Sequence, residues 1–207
     1  MISKTNTNMA IGSAIGTGIS ILIFGVTIFI PKLAMFAYGS SIGIAICFLI
    51  MVISNDSFVT DRNKMFSNIS KSFAIIYCTL VSIVYYTQIS FVRLGSPSSE
   101  VLSIVAYSPP KTAYFALDIL GYFFMSLSVL FLSFTIIENR LLKTSLTIMG
   151  IWGMTCVTVP LLPFLYENSD TSSDIFGVIV LSLWSILFIP ISILLVLYFY
   201  KNGKIAQ

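Results

Sequence analysis

The residue most able to do chemistry is Asp118, set in the apolar run Tyr114-Phe115-Ala116-Leu117-Asp118-Ile119-Leu120-Gly121-Tyr122. It stands about six residues, or about 9 Å of helical rise, inside a stretch apolar enough to cross a membrane. A carboxylate at that depth costs about 2.5–3.5 kcal/mol on insertion scales, so it must face protein or a wet cavity rather than lipid. At helical periodicity Lys111, Tyr114, Asp118, Gly121, Tyr122, Met125 and Val129 share one face.

The preceding apolar stretch carries a second polar signal. Thr79, Ser82, Tyr86, Ser90 and Arg93 recur at three- and four-residue spacings and form one helical stripe. Tyr85 and Gln88 lie on another side of the same helix, which predicts that it is enclosed by neighbours. If the two stretches are antiparallel, Gln88 and Asp118 sit at similar depth. The expected cluster is Asp118, Arg93, Gln88, Tyr85, Tyr86, Tyr114 and Tyr122, facing the extracytoplasmic side. Arg93 is the expected counter-ion of Asp118, since the Lys111 side chain leans toward its own helix N-terminus. Three readings of this cluster stand side by side: an inter-helix clamp, a ligand pocket and a proton relay.

Other chemistries are excluded by composition. The chain has no histidine, so it has no imidazole base and no histidine-ligated metal. Cys47, Cys78 and Cys156 sit in separate apolar runs without the close spacing of a metal or redox site. No nucleotide-binding glycine loop and no paired catalytic carboxylates occur. The acidic stretch Glu167-Asn168-Ser169-Asp170-Thr171-Ser172-Ser173-Asp174 lacks the glycine and terminal glutamate of a calcium loop. No cofactor and no metal are expected, and a net charge of +3 is too small for a nucleic-acid surface.

The elements that must position the cluster follow from composition. Of the 207 residues, 57% are hydrophobic and 9% charged, too few charges to cover a water-soluble globule. Six stretches approach or exceed the ~20 apolar residues needed to span a membrane as a helix: 9–30, 33–53, 72–92, 112–136, 145–165 and 175–200. They are continuous and lack the alternation of barrel strands. Only Pro31 and Lys32 separate the first two, and a single helix of that length would be about 67 Å long, so a tight hairpin is expected. The first stretch is too long for a signal-peptide core and reads as a retained helix. Pro160, Pro163 and Pro190 should bend the last two helices. The apolar run Val101–Tyr107, bounded by Ser-Pro and Pro-Pro, could form a short interfacial helix that roofs the cluster.

Orientation follows from the basic residues. With both termini inside, Lys4, Arg62, Lys64, Lys71, Arg140, Lys143, Lys201 and Lys204 face the cytoplasm, eight against Lys32, Arg93 and Lys111 outside. The fold class expected is therefore all-α, a single polytopic domain of six transmembrane helices, N-in and C-in. Its composition resembles that of small multi-pass proteins of low-GC prokaryotes, which places it in a cytoplasmic membrane.

Two functions from different classes remain. The leading one is binding or movement of a small amphipathic or lipid-like molecule through the polar outer-leaflet pocket. The other is a non-catalytic scaffold or accessory subunit. For it, Gly12 and Gly16 with Gly39 and Gly43 form small-residue patterns that let helices approach, within the chain, in a homo-oligomer or against a partner helix. An intramembrane enzyme using Asp118 ranks last, because no second catalytic group can be named.

Overall fold

A run of apolar residues in lipid leaves backbone N–H and C=O groups no partner but each other, and a helix satisfies them within one segment. The computed structural model describes residues 3–95, 97–106, 112–155 and 172–205, and these are helical with no strand among them. The helices are α1 (Lys4–Thr27), α2 (Ala34–Asn55), α3 (Lys64–Thr87), α4 (Ser99–Val105), α5 (Ala113–Ser133), α6 (Arg140–Met154) and α7 (Ser172–Ile205). Among the described residues, five runs are long and apolar enough to cross a membrane, in α1, α2, α3, α5 and α7. The chain is thus an all-helical membrane protein. With 15 described residues α6 is shorter than a span. The rest of the expected fifth stretch, with Pro160, Pro163 and Cys156, lies outside the described residues.

Side-chain caps start several helices where the sequence supplies them. Ser3 Oγ accepts from the Asn6 amide at 3.1 Å, Thr112 Oγ1 from Phe115 at 3.1 Å, and Asn139 Oδ1 from Leu142 at 3.0 Å. Between α1 and α2 the chain reverses through a 3₁₀ turn at Pro31–Leu33, the hairpin that Pro31 requires. Pro190 is carried inside α7, which stays helical around it.

The helices pack in a closed circuit: α1 on α2, α2 on α3, α3 on α5, α5 on α6, with α7 returning to α1 and also meeting α6. Small residues set the close approaches. A Cβ on Gly16 would stand 2.8 Å from Cys47 Sγ, and one on Gly43 2.9 Å from Ser20 Oγ, so these two glycines form the α1–α2 seam. Gly12 and Gly39 differ. Nothing lies within 4 Å of where their Cβ atoms would be, and both face outward. Between α3 and α5, Ser70 and Ser128 donate to each other's carbonyls, both at 2.8 Å. The centre of the circuit is filled by rings in sequence, Phe48, Tyr77, Tyr122, Trp184 and Phe188, each 5.2–5.9 Å from the next.

Contacts at one end bring both termini together. Thr7 packs against Gly203, Asn6 Nδ2 donates to Ser57 Oγ at 2.9 Å, and Phe58 meets Phe199 at 5.1 Å. Asn55 Nδ2 donates to Thr135 Oγ1 at 3.0 Å, adding the segment after α5 to the same end. Here α3 begins eight residues earlier than the apolar stretch at 72. Its polar first turns are anchored because Lys64, Ser67 and Lys71, one helical face, all reach the Asp56 carboxylate.

Candidate functional site

Asp118 lies on the inner face of α5 and is 2% exposed. Its position follows from the seam below it. A Cβ on Gly121 would stand 2.9 Å from Val81 Cγ2, so α5 comes close against α3. That approach brings Tyr85 within reach, and its hydroxyl donates to Asp118 Oδ2 at 3.1 Å. Tyr38 of α2 lies beside Tyr85, with ring centroids 5.7 Å apart. Tyr77, two turns below Tyr85 on the same face of α3, is fully buried between Phe48 and Tyr122. Its hydroxyl has no hydrogen-bond partner among the described residues.

The roof is real and is stitched down. Residues Gln88–Val92 continue α3 as a π-helical turn, and Gln88 is turned inward, 2% exposed. Its Nε2 donates to the Val105 carbonyl at 2.7 Å, which ties the end of α4 to α3. Thr112 Oγ1 donates to the Ala106 carbonyl at 2.6 Å, so α4 is fastened to the start of α5 as well. The short helix expected from the Val101–Tyr107 run is therefore present as α4, held through Gln88 and Thr112.

Other parts of the expected cluster are not brought together. Arg93 is exposed and makes no ion pair with Asp118; the ion pairs among the described residues are those of Lys64 and Lys71 with Asp56. Asp118 accepts from the Tyr85 hydroxyl. Tyr86 is 64% exposed and points away from the interior. Tyr114 is half-buried on the first turn of α5, and Tyr122 is half-buried in the aromatic row beneath Asp118. Lys111 lies outside the described residues.

The misassignment has a physical cause. Thr79 and Tyr86 stand on the outward face of α3, and hydroxyls of the expected stripe bond back to their own helix. Thr79 donates to the Ile75 carbonyl at 2.9 Å and Ser90 to Tyr86 at 2.7 Å. A serine or threonine that bonds four residues back can face lipid without an unsatisfied group, so its position says little about burial. The inward stripe is Ser67, Ser70, Ala74, Tyr77, Val81, Tyr85 and Gln88. Its mixture of polar and apolar residues gives it no polar periodicity. For the same reason α3 is not enclosed on all sides; it packs between α2 and α5 and presents its third face outward.

Two open clefts lie at the opposite end, near the termini. One of about 490 Å³ is lined by Ile137, Arg140, Lys143, Thr144, Thr147 and Ile148. The other, of about 210 Å³, is lined by residues that include Glu138, Arg140, Tyr198 and Lys201.

Fold and site together define a multi-pass helical membrane protein with a buried carboxyl beneath a tethered roof. No protein-family model matches the sequence, and comparison with curated proteins and with solved structures gives no match.

Proposed function

We propose that the chain binds or moves a small amphipathic, lipid-like molecule at the Asp118 cluster. Asp118 would supply the polar anchor, Tyr85 and Gln88 its hydrogen bonds, and Tyr77, Tyr114 and Tyr122 amphipathic walls. One observation carries the reading. A buried carboxyl accepts from a tyrosine hydroxyl within the bundle, and α4 is tethered at the same end through Gln88 and Thr112. A clamp built only for stability has no need of an ionisable group there, because replacing a buried ionic or polar pair by well-packed apolar residues is often neutral or stabilising. The Tyr77 hydroxyl, without a hydrogen-bond partner among the described residues and within electrostatic range of Asp118, is a second polar group in the same interior.

The proposed setting is a cytoplasmic membrane of a prokaryote, with six crossings and both termini inside. Two observations support it: the termini meet at one end, which requires an even number of passes, and most of the basic residues collect there. Labelling by a membrane-impermeant thiol reagent at Ser57→Cys and Ser99→Cys, in a background lacking the native cysteines, tests this orientation. Only the second should react from outside intact cells.

Native mass spectrometry of gently extracted protein tests the function. A small molecule should remain bound to the wild type and be lost from Asp118→Asn, with the folded fraction unchanged. If Asp118→Asn lowers folding yield but keeps the same adducts, the cluster is a clamp and the proposal fails.

The scaffold reading is favoured by a separate observation, the outward glycines. Gly12 and Gly39 are not used in any internal seam. Under that reading Gly12→Leu and Gly39→Leu abolish cross-linking to a neighbouring helix and leave the thermal stability of the monomer intact.

A further inference from the structure

We propose that the face of α6 carrying Arg140, Lys143 and Thr144 binds the phosphate headgroup of an anionic phospholipid, whose acyl chains run along Ile148 and Ile151. The larger cleft lies on this face. Its lining residues Arg140, Lys143, Thr144, Thr147 and Ile148 follow the spacing of a single helical stripe, and Ile137 closes the end before α6. Ile151 continues the stripe.

Charge decides the ligand class. Among the described residues at this end, Lys64 and Lys71 close on Asp56, and Lys204 lies 4.5 Å over the Tyr200 ring. Arg140 and Lys143 have no such partner, and no carboxylate lines the larger cleft. Glu138 lines the neighbouring cleft but is not within ion-pairing distance of Arg140, and Lys201 adds a third cation on that side. Two uncompensated cations one helical turn apart, with an exposed Thr144 hydroxyl beside them, are complementary to one phosphodiester. They stand on the first turn of α6, where backbone N–H groups also favour an anion.

The apolar part of the stripe separates a lipid from a free anion. Ile148 lies eight residues beyond Arg140, about 12 Å along the helix axis. Ile137, Leu141, Ile148 and Ile151 are all more than half exposed. The groove thus passes from cations at the bundle end to bare aliphatic surface on the flank, the polarity order of a phospholipid at a membrane interface. Thr147, between them, turns its hydroxyl inward to Ser133 Oγ at 2.9 Å and does not interrupt the apolar track.

The test is native mass spectrometry of the full chain exchanged into mixed micelles containing phosphatidylglycerol or phosphatidylcholine. Phosphatidylglycerol should stay bound under activation that strips phosphatidylcholine. Arg140→Gln and Lys143→Gln should each lower phosphatidylglycerol retention about five-fold. Lys64→Gln, which removes a paired cation at the same end, should leave it unchanged. Asp118→Asn should also leave it unchanged, which separates this site from the one proposed above. Excess inorganic phosphate should not displace the lipid. Equal retention of the two lipids by the wild type, which requires no variant to fold, overturns the proposal. So does displacement by phosphate, which would mean a site for a free anion, or retention in both α6 variants equal to wild type.

Discussion

Two aspartates at opposite ends of the bundle solve the same electrostatic problem in opposite ways. Asp56, just beyond α2, is partly exposed and collects two ammonium groups, Lys64 at 2.9 Å and Lys71 at 3.0 Å, together with the Ser67 hydroxyl at 2.7 Å. Asp118 is buried within α5 and takes the Tyr85 hydroxyl at 3.1 Å. The difference lies in what each environment allows. Where solvent is near, long lysine side chains reach a carboxylate at small cost and gain little, because water screens the pair. Inside the bundle a second buried charge would add its own desolvation penalty, which the attraction repays only with excellent geometry. A phenol brings a donor without a charge and buries a ring at the same time. Asp56 is an anchor for the start of α3, and Asp118 ties α5 to α3 through Tyr85.

The sharpest way to break this comparison is to push the helices around Asp118 apart. Gly121→Leu should cost about 3 kcal/mol through overpacking against Val81 and separate Tyr85 from Asp118, seen as a large drop in thermal stability in detergent. Tyr85→Phe should cost about 1–2 kcal/mol, since it removes a hydrogen bond to a buried acceptor and leaves the ring in place. A double-mutant cycle with Asp118→Asn should show coupling of a similar size, whereas additivity would mean that the contact carries no energy. Asp56→Asn should cost less, about 0.2–1 kcal/mol, because its partners are half-exposed. That cost should shrink further in ~1 M salt, where charges are screened beyond about 3 Å. The smallest effect is expected at Arg93→Gln, within about 0.5 kcal/mol of wild type for an exposed cation that makes no ion pair with Asp118. A loss there as large as that of Tyr85→Phe would restore Arg93 as the counter-ion and dissolve the contrast between the two ends.

The hairpin at Pro31 and the long apolar helices were legible residue by residue, because each depends on local chemistry. The antiparallel run of α3 and α5 was legible too, but not its register, in which Ser70 meets Ser128, Val81 meets Gly121 and Tyr85 reaches Asp118. What failed was the choice of face on α3. The sequence offered two stripes, and the one rich in hydroxyls turned outward, since Thr79, Thr87 and Ser90 are satisfied by their own helix. The π-helical turn at Gln88–Val92 added to this, because it changes the angular relation between Arg93 and the residues before it. Of the four glycines at four-residue spacing, Gly16 and Gly43 face the partner helix and Gly12 and Gly39 do not. Four-residue spacing alone could not divide them, because it ignores where the two helices cross.

By itself the amino-acid sequence determined that this chain belongs in a membrane, that it is helical, and that Asp118 must be shielded from lipid. Each of these follows from the cost of placing a particular group in hydrocarbon, a property of the residue and its near neighbours. Which group shields Asp118 was decided only by the tertiary structure. That choice depends on the rotation of α3 about its own axis, on how closely Gly121 lets α5 approach, and on where Gln88 fastens α4. Those are differences among packings with nearly the same buried area, and only side chains meeting across helices distinguish them.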